Sequence, residues 1–309
     1  MRVALYGAGQ VSGNVAEVLG RRPGIEVLGP FSRSQREEAL RSGADVVVIA
    51  TTSFLAQVAP DIRAAVEAGS NVITTAEEAA YPWAVDAPLA DELDRLARER
   101  GVTILGGGLN PGFAFDALVV TAAGAAWDVE SIRVARVVDL SGFGETVLRR
   151  IGIGYTEEEF EAGTREGRIT GHIGFPQSMR VVAGRLGVEL ERIERRISPL
   201  VAAREFTSRD LPVPPGHTAG FEQHYQGIVA GRPWFEALFT GHLDPTALAK
   251  EPRDEIWIEG STPVHLVADP GFNPQIGSSA LVANSLRRVV EAAPGWVTVA
   301  DLPPATPSA

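Results

Sequence analysis

The chain has no cysteine and a single lysine, Lys250. Without cysteine there is no disulfide, no thiolate metal ligand and no cysteine nucleophile. Lys250, the one candidate for Schiff-base chemistry, lies in the polar stretch AKEPRDE, which reads as surface. Positive charge is scarce overall. There are 28 Lys and Arg against 39 Asp and Glu, a net charge of −11, which leaves no basic face for nucleic acid. A single anionic cofactor needs no such face, because backbone dipoles hold it. The sequence also lacks a run of about 18 apolar residues. Its start, MRVALYGAGQ, is too short and glycine-broken for a signal peptide. The expectation is a cytoplasmic protein with no membrane partner. None of the five histidines (His172, His217, His224, His242, His265) has metal-ligand spacing, so no metal site is expected. No G-x-S-x-G supports a serine hydrolase.

What is present is a rhythm. The 309 residues, 45% hydrophobic, suffice for one large or two ordinary domains. Over the first 105 residues, short apolar runs alternate with helical spacing: RVALYG (2–7), IEVLGPF (25–31), DVVVIATT (45–52), NVITTAEE (71–78) and VTILGG (102–107). Five strands separated by helices predict a doubly wound parallel sheet, an α/β Rossmann fold. The rhythm then changes. Strand-like alternation at 131–141, helices at 156–167 and 175–187, and hairpins at 224–241 and 254–269 predict an α+β segment on mostly antiparallel strands. A long helix and short strand at 276–304 are expected to pack back on the first domain. The expected division is a dinucleotide-binding domain at 1–117, completed by 275–309, and a substrate and dimerisation domain at 118–274. The hairpins carry Tyr225, Trp234, Phe235, Phe239 and Trp257. A sheet covered on one face needs a partner for an apolar second face, so a homodimer is expected.

The first turn reads Gly7-Ala8-Gly9-Gln10-Val11-Ser12-Gly13. Gly7 permits the tight turn, and Gly9 lets a pyrophosphate approach the N-terminus of the helix that Gln10 and Val11 begin. Ser12 replaces the third glycine of the usual fingerprint. After the second strand, Ser32-Arg33-Ser34 stands where an NAD site usually has an acid. Hydroxyls and a guanidinium suit a 2′-phosphate, so NADP is the expected cofactor, with NAD as the lesser choice. Thr51 and Thr52 after the third strand, and Thr75 after the fourth, are further candidate cofactor contacts on the same sheet edge. Glu77 and Glu78 follow the fourth strand and precede Tyr81 and Trp83. A carboxylate at that edge, beside aromatic surface, suits general acid/base chemistry. An acidic helix start explains the pair equally well. The loop GGGLNPGFAFD (106–116) places permissive backbone at the exit from the first domain. The spacing alone shows a permissive, close-approach loop, and Pro111 is expected to open the next helix. His172, in GHIGF, is expected to start a helix.

Five patches together resemble the 2,4-diaminopentanoate dehydrogenases and related native amine dehydrogenases, similar in architecture to dihydrodipicolinate reductases. They are TTAEEAAYPW (74–83), GGGLNPGFAFD (106–116), VDLSGFG (138–144), GYTEEEFEAGTREGRITGHIGF (154–175) and EAAPGWVTVADLPP (291–304). The resemblance implies an NADP-dependent amine dehydrogenase, which converts a primary amine to a ketone or aldehyde plus ammonia, and back. It implies Glu77 or Glu78 as acid/base, Asn110 at the site, and a substrate pocket drawn from Tyr81, Trp83, Phe143, Tyr155 and His172. Three departures leave the substrate open. The segment SRSQREEALRSG is short, Gly-Gly-Gly-Leu-Asn-Pro replaces Gly-Thr-Gly-Val-Asn-Pro, and PGFNPQIGSS replaces a Gly-Asp patch. The alternative is a dihydrodipicolinate reductase-like enzyme acting on a cyclic imine, although the His-His pair and catalytic lysine of that enzyme are missing. A further alternative is an NADP-binding sensor without chemistry.

Overall fold

The computed structural model describes residues 1–208 and 211–307. By contacts the chain divides into two compact units. One comprises 1–120, 176–187 and 273–309, and the other 121–175 and 188–272. The helix Phe175–Arg185 thus belongs almost wholly to the first unit, although its sequence lies inside the second.

The first unit is built on a parallel sheet. Its strands are β1 (Arg2–Tyr6), β2 (Glu26–Phe31), β3 (Val46–Ile49), β4 (Asn71–Thr74), β5 (Thr103–Gly106) and, from the tail, β14 (Gly295–Val297). The order is β14-β5-β4-β3-β1-β2, with every pair parallel. This makes the Rossmann-like α/β sheet one strand wider than the five apolar runs suggest. Helices α1 (Gln10–Gly20) and α9 (Pro274–Glu291) belong to one face, whose core includes Val3, Leu5, Val15, Leu19, Val282 and Leu286. Helices α2 (Arg36–Leu40), α3 (Leu55–Glu67) and α4 (Ala87–Arg100) cover the other, over Val47, Ile49, Val72, Ile104 and Trp296. Burial on both faces explains why β3 is apolar throughout. Local chemistry sets the helix ends. Asp86 accepts the Leu89 N–H at the start of α4, Gly101 closes that helix at φ 66°, and Asn273 accepts from Gln275 and Ile276 at the start of α9.

The second unit holds a mixed sheet. Its strands are β6 (Val129–Asp139), β7 (Arg192–Val201), β10 (Thr218–Val229), β11 (Arg232–His242), β12 (Arg253–Gly260) and β13 (Val264–Ala268), in the order β13-β12-β6-β11-β10-β7. All pairs are antiparallel except β11 with β6. The small hairpin of β8 (Phe206–Ser208) and β9 (Leu211–Val213) and the strand β7 have no counterpart in the sequence reading. Helices α5 (Ala117–Ala123), α6 (Glu145–Arg150), α7 (Glu157–Arg165) and α8 (Phe175–Arg185) complete the elements. Helix α7 opens on the Thr156–Glu159 capping box read from the sequence.

Two local expectations are corrected. Pro111 does not open a helix. Residues 110–116 form turns, and α5 begins only at Ala117. His172 does not start a helix either; it lies in a turn, three residues before α8 begins at Phe175. The argument for a dimer from hairpin aromatics also changes. Tyr225, Trp234, Phe235 and Phe239 are buried within the chain and need no partner. Trp257 stands half-buried, with the Arg133 guanidinium over it at 3.9 Å and the His265 ring stacked at 4.8 Å.

Candidate active site

The loops that follow the parallel strands share one edge of the first unit's sheet. The order reverses between β1 and β3, and at such a switch point the crevice beyond the strand ends takes a ligand. Gly7 sits there with φ +125°; a Cβ on it would lie 2.3 Å from the Ala50 carbonyl oxygen, at the end of β3. Only glycine fits where the two backbones pass so closely. Gly9 is different. It precedes α1 in extended geometry (φ −87°, ψ 177°), no side chain caps the helix, and a Cβ on Gly9 would meet nothing within 4 Å. The first turn therefore presents open N–H groups, among them those of Gln10 and Val11, with room in front of them. Such a helix end attracts phosphate. The hydroxyl of Ser12 is buried and has no hydrogen-bond partner. The Gln10 amide donates to Gln275 of α9 at 2.8 Å.

Ser32, Arg33 and Ser34 form a 3₁₀ turn after β2, in which Ser32 and Ser34 hydroxyls lie 2.8 Å apart and Gln35 folds back on Ser32. Arg33 is exposed and makes no ion pair among the described residues. Arg36 is not its equivalent. Its guanidinium is held by Asp61 at 2.6 Å, Glu37 at 2.6 Å and the Pro60 carbonyl at 3.1 Å. After β3, Thr52 caps the following turn: its hydroxyl accepts from the Phe54 N–H at 3.3 Å and donates to Gln57. Thr51 beside it is half-buried. Thr75 donates its N–H to Ile49 at 3.0 Å, which carries the β3–β4 ladder into the loop.

Glu77 and Glu78 lie in a 3₁₀ turn (Glu77–Ala80) after β4, both half-buried. Glu78 Oε2 accepts the Leu55 N–H at 2.7 Å, at the start of α3. The acidic pair thus serves a helix N-terminus in part, with Glu78 across the β3–α3 loop from its own. Beneath it, Gly106 passes so close to Ala79 that a Cβ would fall 2.1 Å from the Ala79 carbonyl oxygen. Tyr81 and Trp83 pack edge to face at 5.5 Å, and Trp83 in turn meets Trp296 at 6.4 Å. The Trp83 indole donates to Asp91 of α4 at 2.8 Å. Together with Arg180, Arg185 and Thr298 these rings line a hollow of about 410 Å³, whose lining does not include Glu77 or Glu78.

The loop after β5 is closed on itself. Gly108 N–H donates to the Pro111 carbonyl at 2.8 Å, and Leu109 N–H donates to Ser278 of α9 at 3.3 Å. Both polar atoms of the Asn110 carboxamide are inaccessible and have no hydrogen-bond partner among the described residues. A buried amide without partners costs about 1–3 kcal/mol per unsatisfied group, so a water or a ligand is needed to satisfy it. Asp116, fully buried, accepts from Gly112 N–H at 2.6 Å, Ala117 N–H at 2.7 Å and the Ser178 hydroxyl at 3.0 Å. Burial pushes its carboxyl up to about 6 against the pull of those donors.

In the second unit, Gln223 clasps the backbone of His172, accepting from its N–H at 2.9 Å and donating to its carbonyl at 3.1 Å. The His172 ring lies against Phe175 at 5.0 Å and Phe239 at 4.9 Å. Phe175 continues to Tyr225 at 5.4 Å, whose hydroxyl burial pushes up in pKa. Tyr155 lies under the Arg149 guanidinium at 5.6 Å, and Phe143 is half-buried in the turn before α6. Sequence reasoning missed Gln223, Phe175, Asp116, Ser178 and Ser278. A lone acid inside the apolar run FAFDALVV is the one signal that points to Asp116.

A helix end left open at the switch point of a parallel sheet defines the class: a Rossmann-like nucleotide-binding fold. Sequence comparison narrows it. A model of the 2,4-diaminopentanoate dehydrogenase C-terminal domain matches residues 113–309. The 2,4-diaminopentanoate dehydrogenase of Acetoanaerobium sticklandii is 33% identical over 98% of this chain and 93% of its own length. The chain belongs to the 2,4-diaminopentanoate dehydrogenase family and is an amine dehydrogenase, an oxidoreductase acting on CH–NH2. The fold agrees with that of the amine dehydrogenase from Mycobacterium smegmatis, at TM-score 0.85 and 23% identity, covering 100% of this chain and 97% of the other. A biliverdin reductase from Synechocystis, solved with biliverdin and NADP+, shares the fold more distantly, at TM-score 0.53 and 13% identity, covering 92% and 90%. Among the described residues, no helix is long and apolar enough to cross a membrane.

Proposed function

We propose that this protein is an NADP-preferring amine dehydrogenase of the cytoplasm, with the acid/base group in the Glu77–Glu78 pair and Asn110 as a polar contact to substrate or cofactor. The observation that carries this reading is the Asn110 carboxamide, buried with both polar atoms unpaired. It lies on the loop after β5, on the edge that also presents the open N-terminus of α1 and the two glutamates.

The residues fit a dinucleotide. Gly9 leaves room before the α1 N–H groups, and Arg33 is unpaired after β2. Held there by the α1 N–H groups and Arg33, a nicotinamide dinucleotide would supply the hydride chemistry that interconverts amine and imine. The chain supplies the rest. Asn110 orients the reacting group through its amide. In deamination a carboxylate of the pair takes the ammonium proton and releases it to solvent; it then takes a proton from the water that adds to the imine carbon and returns it to the amino nitrogen, which leaves as ammonia as the new hydroxyl gives up its proton to form the carbonyl. Glu78 performs this through Oε1 while Oε2 holds the Leu55 N–H; Glu77 is the other choice. Tyr81 and Trp83 in the first unit, and Phe143, Tyr155 and His172 in the second, are the candidate substrate contacts.

The second unit carries the proposed homodimer contact. The sheet face opposite its buried aromatics presents Arg133, Arg196, Glu222, His224 and Glu236 around a shallow hollow of about 410 Å³. Both signs of charge on one face allow two copies to meet with complementary pairing. The decisive experiment for the whole reading is a panel of amines with NADP and NAD, and of ketones with ammonia and the reduced cofactors, followed by nicotinamide absorbance. Turnover of no amine or ketone would leave an NADP-binding sensor.

A further inference from the structure

We infer that Asp116 is a positioning residue of this site: its buried carboxylate ties Gly112 and helix α8 to one point and so holds the Asn110 carboxamide in its unpaired, buried place. This rests on the functional reading above.

The geometry of the loop makes the case. Residues 108–112 close on themselves through the Gly108 N–H to Pro111 carbonyl bond of 2.8 Å. Gly112 has φ +131°, and a Cβ on it would lie 2.3 Å from the Gly108 carbonyl oxygen. The loop is therefore a tight unit, and its position depends on what grips its two ends. Ser278 of α9 grips one end at Leu109 N–H. Asp116 grips the other, because Oδ2 accepts both the Gly112 N–H at 2.6 Å and the Ser178 hydroxyl of α8 at 3.0 Å. An ordinary helix cap does not explain this carboxylate. A cap is satisfied at the surface by the first N–H groups of its own helix. Asp116 is fully buried, and besides the Ala117 N–H of its own helix it holds the Gly112 N–H back along the chain and the Ser178 hydroxyl of a second helix.

Two unfavourable burials occur within this one loop and the turn that follows it. A carboxylate out of water is costly, and so is a carboxamide without partners. Left to itself, the loop would relax until Asn110 reached water. Asp116 prevents that, and the Asn110 amide stays directed at a ligand without reorganisation during the reaction. The groups facing the carboxylate are the N–H of Gly112, the N–H of Ala117 and the hydroxyl of Ser178; no charged side chain contributes to its shift. Protonation places a donor on an oxygen already surrounded by donors. Ser178 must then turn, and the Gly112 contact weakens.

The test is a double-mutant cycle between Asp116 and Asn110, read in steady-state amination. Asp116→Asn keeps size and removes charge; it should lower kcat by roughly 10- to 100-fold, the range for a small misplacement of a reacting group, with the KM for NADPH nearly unchanged. Asn110→Ala should lose a similar factor, and the double variant no more than Asn110→Ala alone. In the wild type kcat should fall on acidification through about pH 6, and Asp116→Asn should lack that step. Additive losses, or an acid limb unchanged in Asp116→Asn, would overturn the inference. If Asp116→Asn does not fold, Ser178→Ala takes its place. It leaves both backbone donors and should give a smaller kcat loss that is again non-additive with Asn110→Ala. A second readout needs no turnover. Amide hydrogen exchange at residues 107–113 should accelerate in Asp116→Asn or Ser178→Ala, with the strands unaffected. Unchanged exchange there refutes the positioning role. A wild type inactive on every amine and ketone refutes the functional reading instead.

Discussion

Gly7 and Gly9 are two residues apart in one motif, yet the structure separates their roles, and alanine at each should fail differently. At Gly7, alanine meets a backbone region essentially reserved for glycine, which costs about 1–3 kcal/mol. It also drives a Cβ to 2.3 Å from the Ala50 carbonyl oxygen, a backbone atom that cannot retreat without opening the β1–β3 pair. Overpacking of this kind adds about 1–3 kcal/mol. The sum, roughly 2–6 kcal/mol, is a large part of an ordinary protein's 5–15 kcal/mol and should lower Tm on the order of 10 °C. At Gly9, φ is −87° and nothing lies within 4 Å of a Cβ. The loss of a helix-start glycine, up to about 1 kcal/mol, is offset by a stiffer unfolded chain, about 0.4–1 kcal/mol. Stability should hardly change. The methyl group instead occupies the space through which a pyrophosphate reaches the α1 N–H groups. A crowding penalty of about 1–3 kcal/mol weakens NADPH binding roughly 5- to 150-fold. The assays are a thermal melt without cofactor and a fluorescence titration with NADPH. Wild-type affinity in Gly9→Ala, or wild-type Tm in Gly7→Ala, would refute this division of labour.

Arg33→Ala should lower kcat/KM for NADP about tenfold, near the lower end of a charged hydrogen bond's 1.5–3 kcal/mol because the site is exposed, and leave NAD almost unaffected. Arg36 is occupied by Asp61, Glu37 and Pro60, so it cannot compensate. An equal loss for both cofactors would assign Arg33 to the loop alone. Removing the charge of the acid/base group, as Glu77→Gln or Glu78→Gln, should cost roughly 10²–10⁴ in turnover with NADPH affinity kept. Near-full activity in both single variants would rule out the mechanism. Asp116 titrates in the folded state at about 6, above the ordinary aspartate value of about 3.9. The native state then binds more protons than the unfolded chain between those values, so this group's contribution to stability falls as pH rises through that window. Chemical denaturation between pH 4 and 7 should show that slope in the wild type and lose it in Asp116→Asn. Light scattering at micromolar concentration should give a dimer mass, and a monomer would remove the proposed contact on the second unit's charged sheet face.

The sequence by itself determined the elements whose signals are local. Apolar runs of strand length, glycines at strand ends and a capping box at Thr156 depend on neighbours within a few residues, and β1 to β5, α1, α4 and α7 stand where those signals lie. The glycine turn and the Ser-Arg-Ser turn were legible for the same reason. The family was legible because five patches keep their order along the whole chain. Tertiary structure decided whatever depends on residues distant in sequence. β14 joins β5 across 190 residues of chain, as the Thr103 hydroxyl to Ala293 carbonyl bond shows. β11 runs parallel to β6, which a hairpin reading cannot anticipate. The hairpin aromatics read in the sequence as a face that needs a partner, yet Tyr225, Trp234, Phe235 and Phe239 are buried within the chain. Asn110 shows the limit most plainly. Its neighbours in sequence mark a permissive loop. Only the fold strips its carboxamide of every partner, because Asp116, Ser178 and Ser278 hold that loop from positions up to 169 residues apart in the chain, and a burial enforced at such range leaves no trace in local pattern.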